Sequence, residues 1–190
     1  MASDTRTALL DSAERAARTV GFDGFSYADL AEDVGIRKAS VHHHFPSKAN
    51  LSIALMQRYF DRFEAIREDF RASPDTGGAQ LLAILESYRE GMKGGKSLCL
   101  SVSFTSSRES LPTEVSDLVH RFRALILDWL KAAFLAGQSD GTISGVTDPA
   151  LEAAAALPLF EGAQLAARAE EKPDLFDNAT QLLRRRITHQ

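Results

Sequence analysis

Apolar residues recur every three or four positions in long runs of this chain, and the runs are separated by short breaks rich in Gly, Pro and Ser. That period is the mark of amphipathic helices. Leu9, Ala13, Ala16 and Val20 make the first stripe after the polar start Ser3-Asp4, and Gly21 stops it as a helix-terminating glycine does. Ser26-Tyr27-Ala28-Asp29 has the form of a capping box opening a second helix, with Leu30, Ala31 and Val34 inward. Gly35 ends that helix in a left-handed turn with Ile36 as its hydrophobic contact. A short third helix is predicted from about Lys38 to Phe45. Val41 and Phe45 face a core, while Ala39 and His43, flanked by Ser40 and His42, face outward. Pro46 closes it and Ser47 caps the next helix. Two short helices joined by a tight glycine turn form a helix-turn-helix pattern.

Beyond Ser47 one stripe carries Leu51, Leu55, Tyr59, Phe63, Ile66 and Phe70, a helix that ends before the expected loop Ser73-Pro74-Asp75-Thr76-Gly77-Gly78. Such a helix spans roughly 35 Å, enough to link two domains. A helix over 79–90 follows, then three glycines within Gly91 to Lys96 that make a hinge or an open loop, and a short helix over 97–106. Residues 113–136 read as a long amphipathic helix with Val115, Leu118, Val119, Phe122, Ile126, Trp129, Leu130 and Ala133 inward. After a loop over 137–149 come a small-residue helix over 150–171, kinked at Pro158, and a last helix from Pro173 that carries Leu175, Phe176, Ala179, Leu182 and Leu183. The wide apolar faces of these last two helices invite a second copy, giving a homodimer through about 150–187. Only Leu98 to Phe104 and Thr142 to Val146 have β-like character. The fold class is all-α with about nine helices. An amino-terminal three-helix domain over 1–48 precedes a larger helical domain over 49–190.

Composition narrows the partners. The 190 residues include 26 acids and 22 Lys and Arg, a net charge of −4, so no basic field over the whole molecule announces nucleic acid. Charge is local instead: residues 36–50 hold no acid, only Arg37, Lys38 and Lys48 with three histidines. Lys48 falls in a first helical turn, where a cation opposes the helix dipole unless an anion joins it, so a phosphate site is expected there. His42, His43 and His44 are consecutive helical positions that fan over about 200° and do not converge on one metal ion. Neither a Gly-rich phosphate loop nor a His-Glu-x-x-His motif occurs, so no metal or cofactor is expected. The single Cys99 fits a reducing compartment, and no run is long and apolar enough to span a membrane, so a cytoplasmic protein without membrane contact is expected.

Phe25-Ser26-Tyr27-Ala28-Asp29-Leu30-Ala31, Val34-Gly35-Ile36 and Lys38-Ala39-Ser40-Val41-His42-His43-His44-Phe45-Pro46-Ser47-Lys48 closely resemble the DNA-binding domain of TetR-type transcriptional repressors. The resemblance implies a dimeric regulator, probing a double-stranded DNA operator with the helix at Lys38 to Phe45 and released from it by a small-molecule effector in the carboxy-terminal domain. It implies base or groove contacts at Arg37, Ala39, Ser40 and His43, and phosphate contacts at Ser26, Tyr27, His42, His44 and Lys48. His42 departs from the family, which often has Tyr there. In the second domain Cys99-Leu100, the stretch from Phe122 to Trp129, and Phe160 to Arg168 resemble a branch of the family whose members respond to reactive small molecules through a Cys near this position.

An effector pocket in a helical core would be lined by apolar and aromatic groups with a few polar ones. Tyr88, Cys99, Ser103, Phe104, Phe122, Trp129, Phe160 and Gln164 are its candidates. Cys99 is either a reactive thiol, with Lys96 as its one cationic neighbour in sequence, or an inert core residue. Two other classes compete with the regulator. A helical interaction module would keep the same core without binding DNA. A Cys-dependent enzyme would need Cys99 and His120 to meet, and no acyl-transfer motif surrounds either, so no enzyme is expected.

Overall fold

The computed structural model describes residues 2–72 and 75–188. Among them are nine α-helices: α1 (Ala2–Val20), α2 (Tyr27–Val34), α3 (Lys38–His44), α4 (Lys48–Ala72), α5 (Gly77–Gly91), α6 (Leu100–Ser106), α7 (Thr113–Asp140), α8 (Pro149–Glu170) and α9 (Asp174–Arg184). Single 3-10 turns stand at Phe22–Gly24 and Arg108–Ser110. No strand forms among the described residues. Of the two β-like stretches, residues 100–104 are helical and 142–146 contribute one antiparallel bridge, Ile143 to Ile187. None of the described helices is long and apolar enough to cross a membrane.

Packing divides the chain into two units, one holding residues up to Arg62 with Leu100–Phe122, the other Phe63–Cys99 with the residues from Arg123 onward. A unit built this way reaches well past residue 48, because the first half of α4 and a second visit of the chain complete its core. Leu9, Leu10, Ala13 and Ala17 of α1 are buried with Leu30, Ala31, Val41, Phe45, Leu51 and Leu55. α6 lies on α1, with the Ser103 hydroxyl donating to the Ala17 carbonyl and Phe104 edge-on to Phe22 at 5.1 Å. Val20 departs from the expected stripe and is 59% exposed, since the last turn of α1 runs past the core.

The second unit is organised around α5, α8, α9 and the carboxy-terminal part of α7. Leu81, Ile84, Leu85, Leu125, Ile126, Trp129, Leu130, Leu157, Phe160 and Phe176 are buried there. The glycines expected in a loop before α5 begin that helix instead. Thr76 caps it, the Gly77 N–H donates to Asp140 at 2.8 Å and the Gly78 N–H to the Thr142 hydroxyl at 2.8 Å. A Cβ on Gly77 would overlap the backbone of Gly137, so glycine here serves close helix approach rather than flexibility. α7 runs on to Asp140, beyond its expected end, with Gly137 inside the helix. α6 begins at Leu100 because the glycine turn before it, with Lys93, Gly94 and Gly95 all at positive φ, is not helical. Pro158 sits inside α8. On α9, Phe176, Thr180 and Leu183 are buried, Leu175 is half-buried, and Ala179 and Leu182 are exposed. Arg186 pairs with Glu152 and Arg184 with Glu86 at the end of that helix.

Candidate nucleic-acid interface

α3 is held from behind and left bare in front. Its start is set by the end of α2: Gly35 is left-handed at φ 73°, ψ 34°, and the Ile36 N–H reaches back to the Ala31 carbonyl at 2.9 Å. Val41 and Phe45 are its anchors, fully or almost fully buried, and Arg6 lies 5.1 Å over the Phe45 ring. The buried Tyr27 hydroxyl donates to the Phe45 carbonyl at 2.9 Å, tying the end of α3 to the start of α2. Burial pushes the pKa of Tyr27 up to about 12, so it remains a donor at any physiological pH.

The opposite face carries Arg37, Lys38, Ala39, His42 and His43, all exposed, with Ser40 and His44 half-buried at its sides. The base-facing candidates Arg37, Ala39, Ser40 and His43 therefore lie together on or beside one solvent-facing surface of a seven-residue helix. His42 rests edge-on against the Tyr27 ring at 4.8 Å, and His43 against His44 at 5.5 Å, so the imidazoles are partly oriented by neighbours.

Nearby acids are engaged within the scaffold. Asp29 accepts the Ser26 N–H at 2.7 Å, completing a capping box in which the Ser26 hydroxyl takes the N–H groups of Ala28 and Asp29. That backbone bond is the main reason its carboxyl lies below the usual range. Asp33 accepts from the Ser12 hydroxyl and, at 2.6 Å, from Arg15, and is lowered by the same two groups. Ser26 is exposed at the head of α2, whereas the Tyr27 side chain is turned into the core.

Lys48 is placed differently from a lysine that reaches into solvent. Its ammonium donates to the Phe22 carbonyl at 2.8 Å and lies 5.0 Å from the Phe22 ring centre and 4.5 Å from that of Phe25. Ser47 caps α4 through the Asn50 N–H at 3.1 Å, as expected.

The eight pocket candidates do not share one unit. Ser103, Phe104 and Phe122 belong to the amino-terminal one, where Ser103 and Phe104 pack α6 on α1 and Phe122 meets Tyr59 at 5.1 Å. Tyr88, Cys99, Trp129, Phe160 and Gln164 belong to the second unit and are all buried. Gln164 links two of them, accepting the Cys99 N–H at 3.0 Å and donating to the Tyr88 carbonyl at 3.1 Å, while Tyr88 stacks obliquely on Phe160 at 5.3 Å. Trp129 lies 5.3 Å from Phe70, its indole N–H buried without a hydrogen-bond partner among the described residues.

One feature of the reading unit escaped the periodicity. Glu14 is only 7% exposed and is surrounded by Arg58 and Arg62 at 2.8 Å each and Arg18 at 3.4 Å, clamping α1 to α4. The sequence signal was present in the i, i+4 spacing of Arg58 and Arg62, but the acid they share lies more than forty positions away.

Comparison with known proteins agrees with this geometry. The sequence model described as "Bacterial regulatory proteins, tetR family" matches residues 9–55, the stretch from the core of α1 to the first turns of α4. Over 181 residues the chain is 23% identical to the HTH-type transcriptional repressor NemR of Escherichia coli K12, covering 93% of this chain and 90% of the relative. It is 27% identical to the HTH-type transcriptional regulator RutR of the same strain over 141 residues, 70% of this chain and 66% of RutR. A TetR-family transcriptional regulator from Agrobacterium tumefaciens superposes with a TM-score of 0.89 at 28% identity over the whole of both chains. Reduced E. coli NemR has the same fold, with a TM-score of 0.79 at 20% identity over 97% of each chain. A capped helix-turn-helix with an exposed third helix lies in the stretch matched by the tetR-family model, and the chain as a whole is similar in sequence and fold to these TetR-type transcriptional regulators.

Proposed function

We propose that this protein is a homodimeric repressor, acting in the cytoplasm, that reads a palindromic operator with α3 and leaves it when a small molecule binds the second unit. The observation that carries this reading is the α3 surface itself: seven residues anchored by Val41 and Phe45, with small and imidazole side chains outward and the adjacent acids Asp29 and Asp33 tied to donors. A helix so trimmed fits the floor of a major groove. Arg37, Ala39, Ser40 and His43 make base or groove contacts. His42, His44 and the capped start of α2 at Ser26 and Tyr27 meet phosphates, Tyr27 through its backbone because its hydroxyl is engaged with Phe45. The division of labour follows 1–48 for reading and 49–190 for effector binding and dimerisation.

Dimerisation is supported by the outward faces of α8 and α9. Leu151, Ala155, Leu159, Gly162 and Leu165 repeat at helical spacing on α8 and are all exposed, and Leu182 of α9 is 75% exposed. A stripe of this length on a water-facing surface is the kind that a second copy covers. Two reading helices then enter successive major grooves about 34 Å apart. For the effector, the buried set Tyr88, Cys99, Trp129, Phe160 and Gln164 is the region to probe, with the partnerless Trp129 indole as a donor for a ligand acceptor. The chemistry is binding rather than catalysis.

Selection from a random duplex library tests the reading. The expected product is a palindrome with half-sites one helical turn apart, bound in mobility shift as two chains per duplex. Failure to enrich any sequence over competitor DNA would refute it.

A further inference from the structure

The turn between α1 and α2 holds more partners than a connector needs. Phe22 stands at its centre, 3% exposed. Its carbonyl accepts from Lys48 of α4, and its ring lies beside the same ammonium. Phe25 crosses it edge-on at 5.6 Å and closes the other side of the cation. From the opposite direction Phe104 of α6 meets the Phe22 ring at 5.1 Å, and the hydroxyl of Ser110, just beyond α6, donates to the Asp23 carboxylate at 3.1 Å. One three-residue turn thus touches both the start of α4, four residues after α3, and the segment 104–110.

We propose that Lys48 is a positioning residue for DNA reading: it acts inward, pinning the start of α4, and with it α3, to the Phe22 turn. The inference rests on the DNA-reading function proposed above. Three features favour an inward role over a phosphate contact. Lys48 is half-buried and its ammonium is turned to the Phe22 carbonyl, whereas a lysine that holds a phosphate from the surface has its head in water. Its partner is a backbone carbonyl, which gives one defined direction, and two aromatic faces supply the rest of its solvation. Burial holds the Lys48 pKa below its ordinary value, and the groups that favour its charge from nearby are Asp23 and Asp29 of the same unit. A cation in the first turn of α4 is unfavourable by itself. The Phe22 carbonyl and the two rings offset that cost, so the lysine is retained at a position where the helix dipole alone disfavours it.

α3 follows the start of α4, because only Phe45, Pro46 and Ser47 separate the two helices and Phe45 is buried and bonded through its carbonyl to Tyr27.

The test uses the full-length protein and a duplex that the parent selects from a random library. Lys48→Met keeps the apolar stem and removes the donor and the charge. Phe22→Leu leaves Lys48 in place and removes its ring. Each is expected to weaken binding about tenfold, the first by deleting a charged hydrogen bond and the second by deleting a cation–ring interaction and repacking the turn. The double variant is expected to be no weaker than the worse single one, since both cut the same link. The slope of log affinity against log salt is expected to stay at the parent value in all three, and Lys48→Arg to restore binding. A slope reduced by about 0.9 for each phosphate no longer neutralised, with Phe22→Leu binding like the parent and the two changes additive, would assign Lys48 to the backbone and overturn the proposal. Should Lys48→Met not fold, Phe22→Leu decides alone: parental affinity refutes the clamp. A parent that selects no duplex refutes the DNA-reading function and this inference with it.

Discussion

Glu14→Gln is the sharpest probe of what holds the reading unit together. The carboxylate is buried between α1 and α4 and takes hydrogen bonds from Arg58 and Arg62 at 2.8 Å, with Arg18 at 3.4 Å. Removing one partner of a fully buried ion pair costs about 3–5 kcal/mol, because the remaining charge is left without compensation. Here the arginines are less enclosed than the acid: the Arg62 side chain is 44% exposed and the Arg58 side chain 27%, and Arg58 keeps Asp11 at 2.7 Å. Water and Asp11 therefore recover part of the loss, and the expected destabilisation at pH 7 is about 2–3 kcal/mol. In a chain of this size that is roughly 5–10 °C in Tm. The effect has a pH signature. Burial raises the Glu14 pKa, but bonds and charge from Arg62 and Arg58 outweigh it, and the folded-state value lies below the ordinary 4.5. A carboxyl lowered in the folded state contributes stability that is fully present above its unfolded value and disappears as pH falls through the folded one. The gap between parent and Glu14→Gln should thus be constant from pH 7 to about 5.5, shrink below about 4.5 and close at still lower pH. Hydrogen exchange of α1 and α4 amides is the suitable readout, since the single tryptophan, Trp129, belongs to the other unit. A gap below about 0.5 kcal/mol at pH 7, or one that does not narrow in acid, refutes the reasoning.

Three further outcomes follow from particular side chains. Tyr27→Phe leaves the Phe45 carbonyl without its donor in a buried place and should cost about 1–2 kcal/mol; an absorbance titration of the parent should also contain a tyrosine ionising only at about pH 12 that is missing from the variant. Gly77→Ala drives a methyl group into the Gly137 backbone and should lower stability by more than about 3 kcal/mol in thermal melts, far beyond an ordinary glycine-to-alanine change. Leu182→Glu places a charge on the exposed face of α9 and should convert a dimer to monomer in sedimentation without lowering the helix content; an unchanged mass would move the interface elsewhere.

The helix periods, caps and glycine stops were local signals, and they were enough to outline nine helices and the bare face of α3. Ser26, Asp29, Gly35 and Ser47 behave as their side chains dictate because each acts within a few residues of itself. Errors appeared where the deciding neighbour is remote in sequence. Gly77 and Gly78 read as a loop until the end of α7 packs on them, and Val20 continues the α1 stripe by period yet is exposed, because periodicity gives the direction of a stripe but not its extent. That Ser103, Phe104 and Phe122 belong to a different unit from the other pocket candidates is not legible in aromatic spacing, which does not say which core a helix serves, and α6 returns to α1 across more than eighty positions. The all-helical class, the helix-turn-helix and the residues on the outer face of α3 are written in the chain itself, since they depend on backbone propensity and short-range pattern. What Glu14, Gln164 and Lys48 do emerges only on folding, because a charge or an amide takes its role from the partners brought to it, and for Lys48 those partners are a carbonyl and two rings twenty-odd residues earlier in the chain.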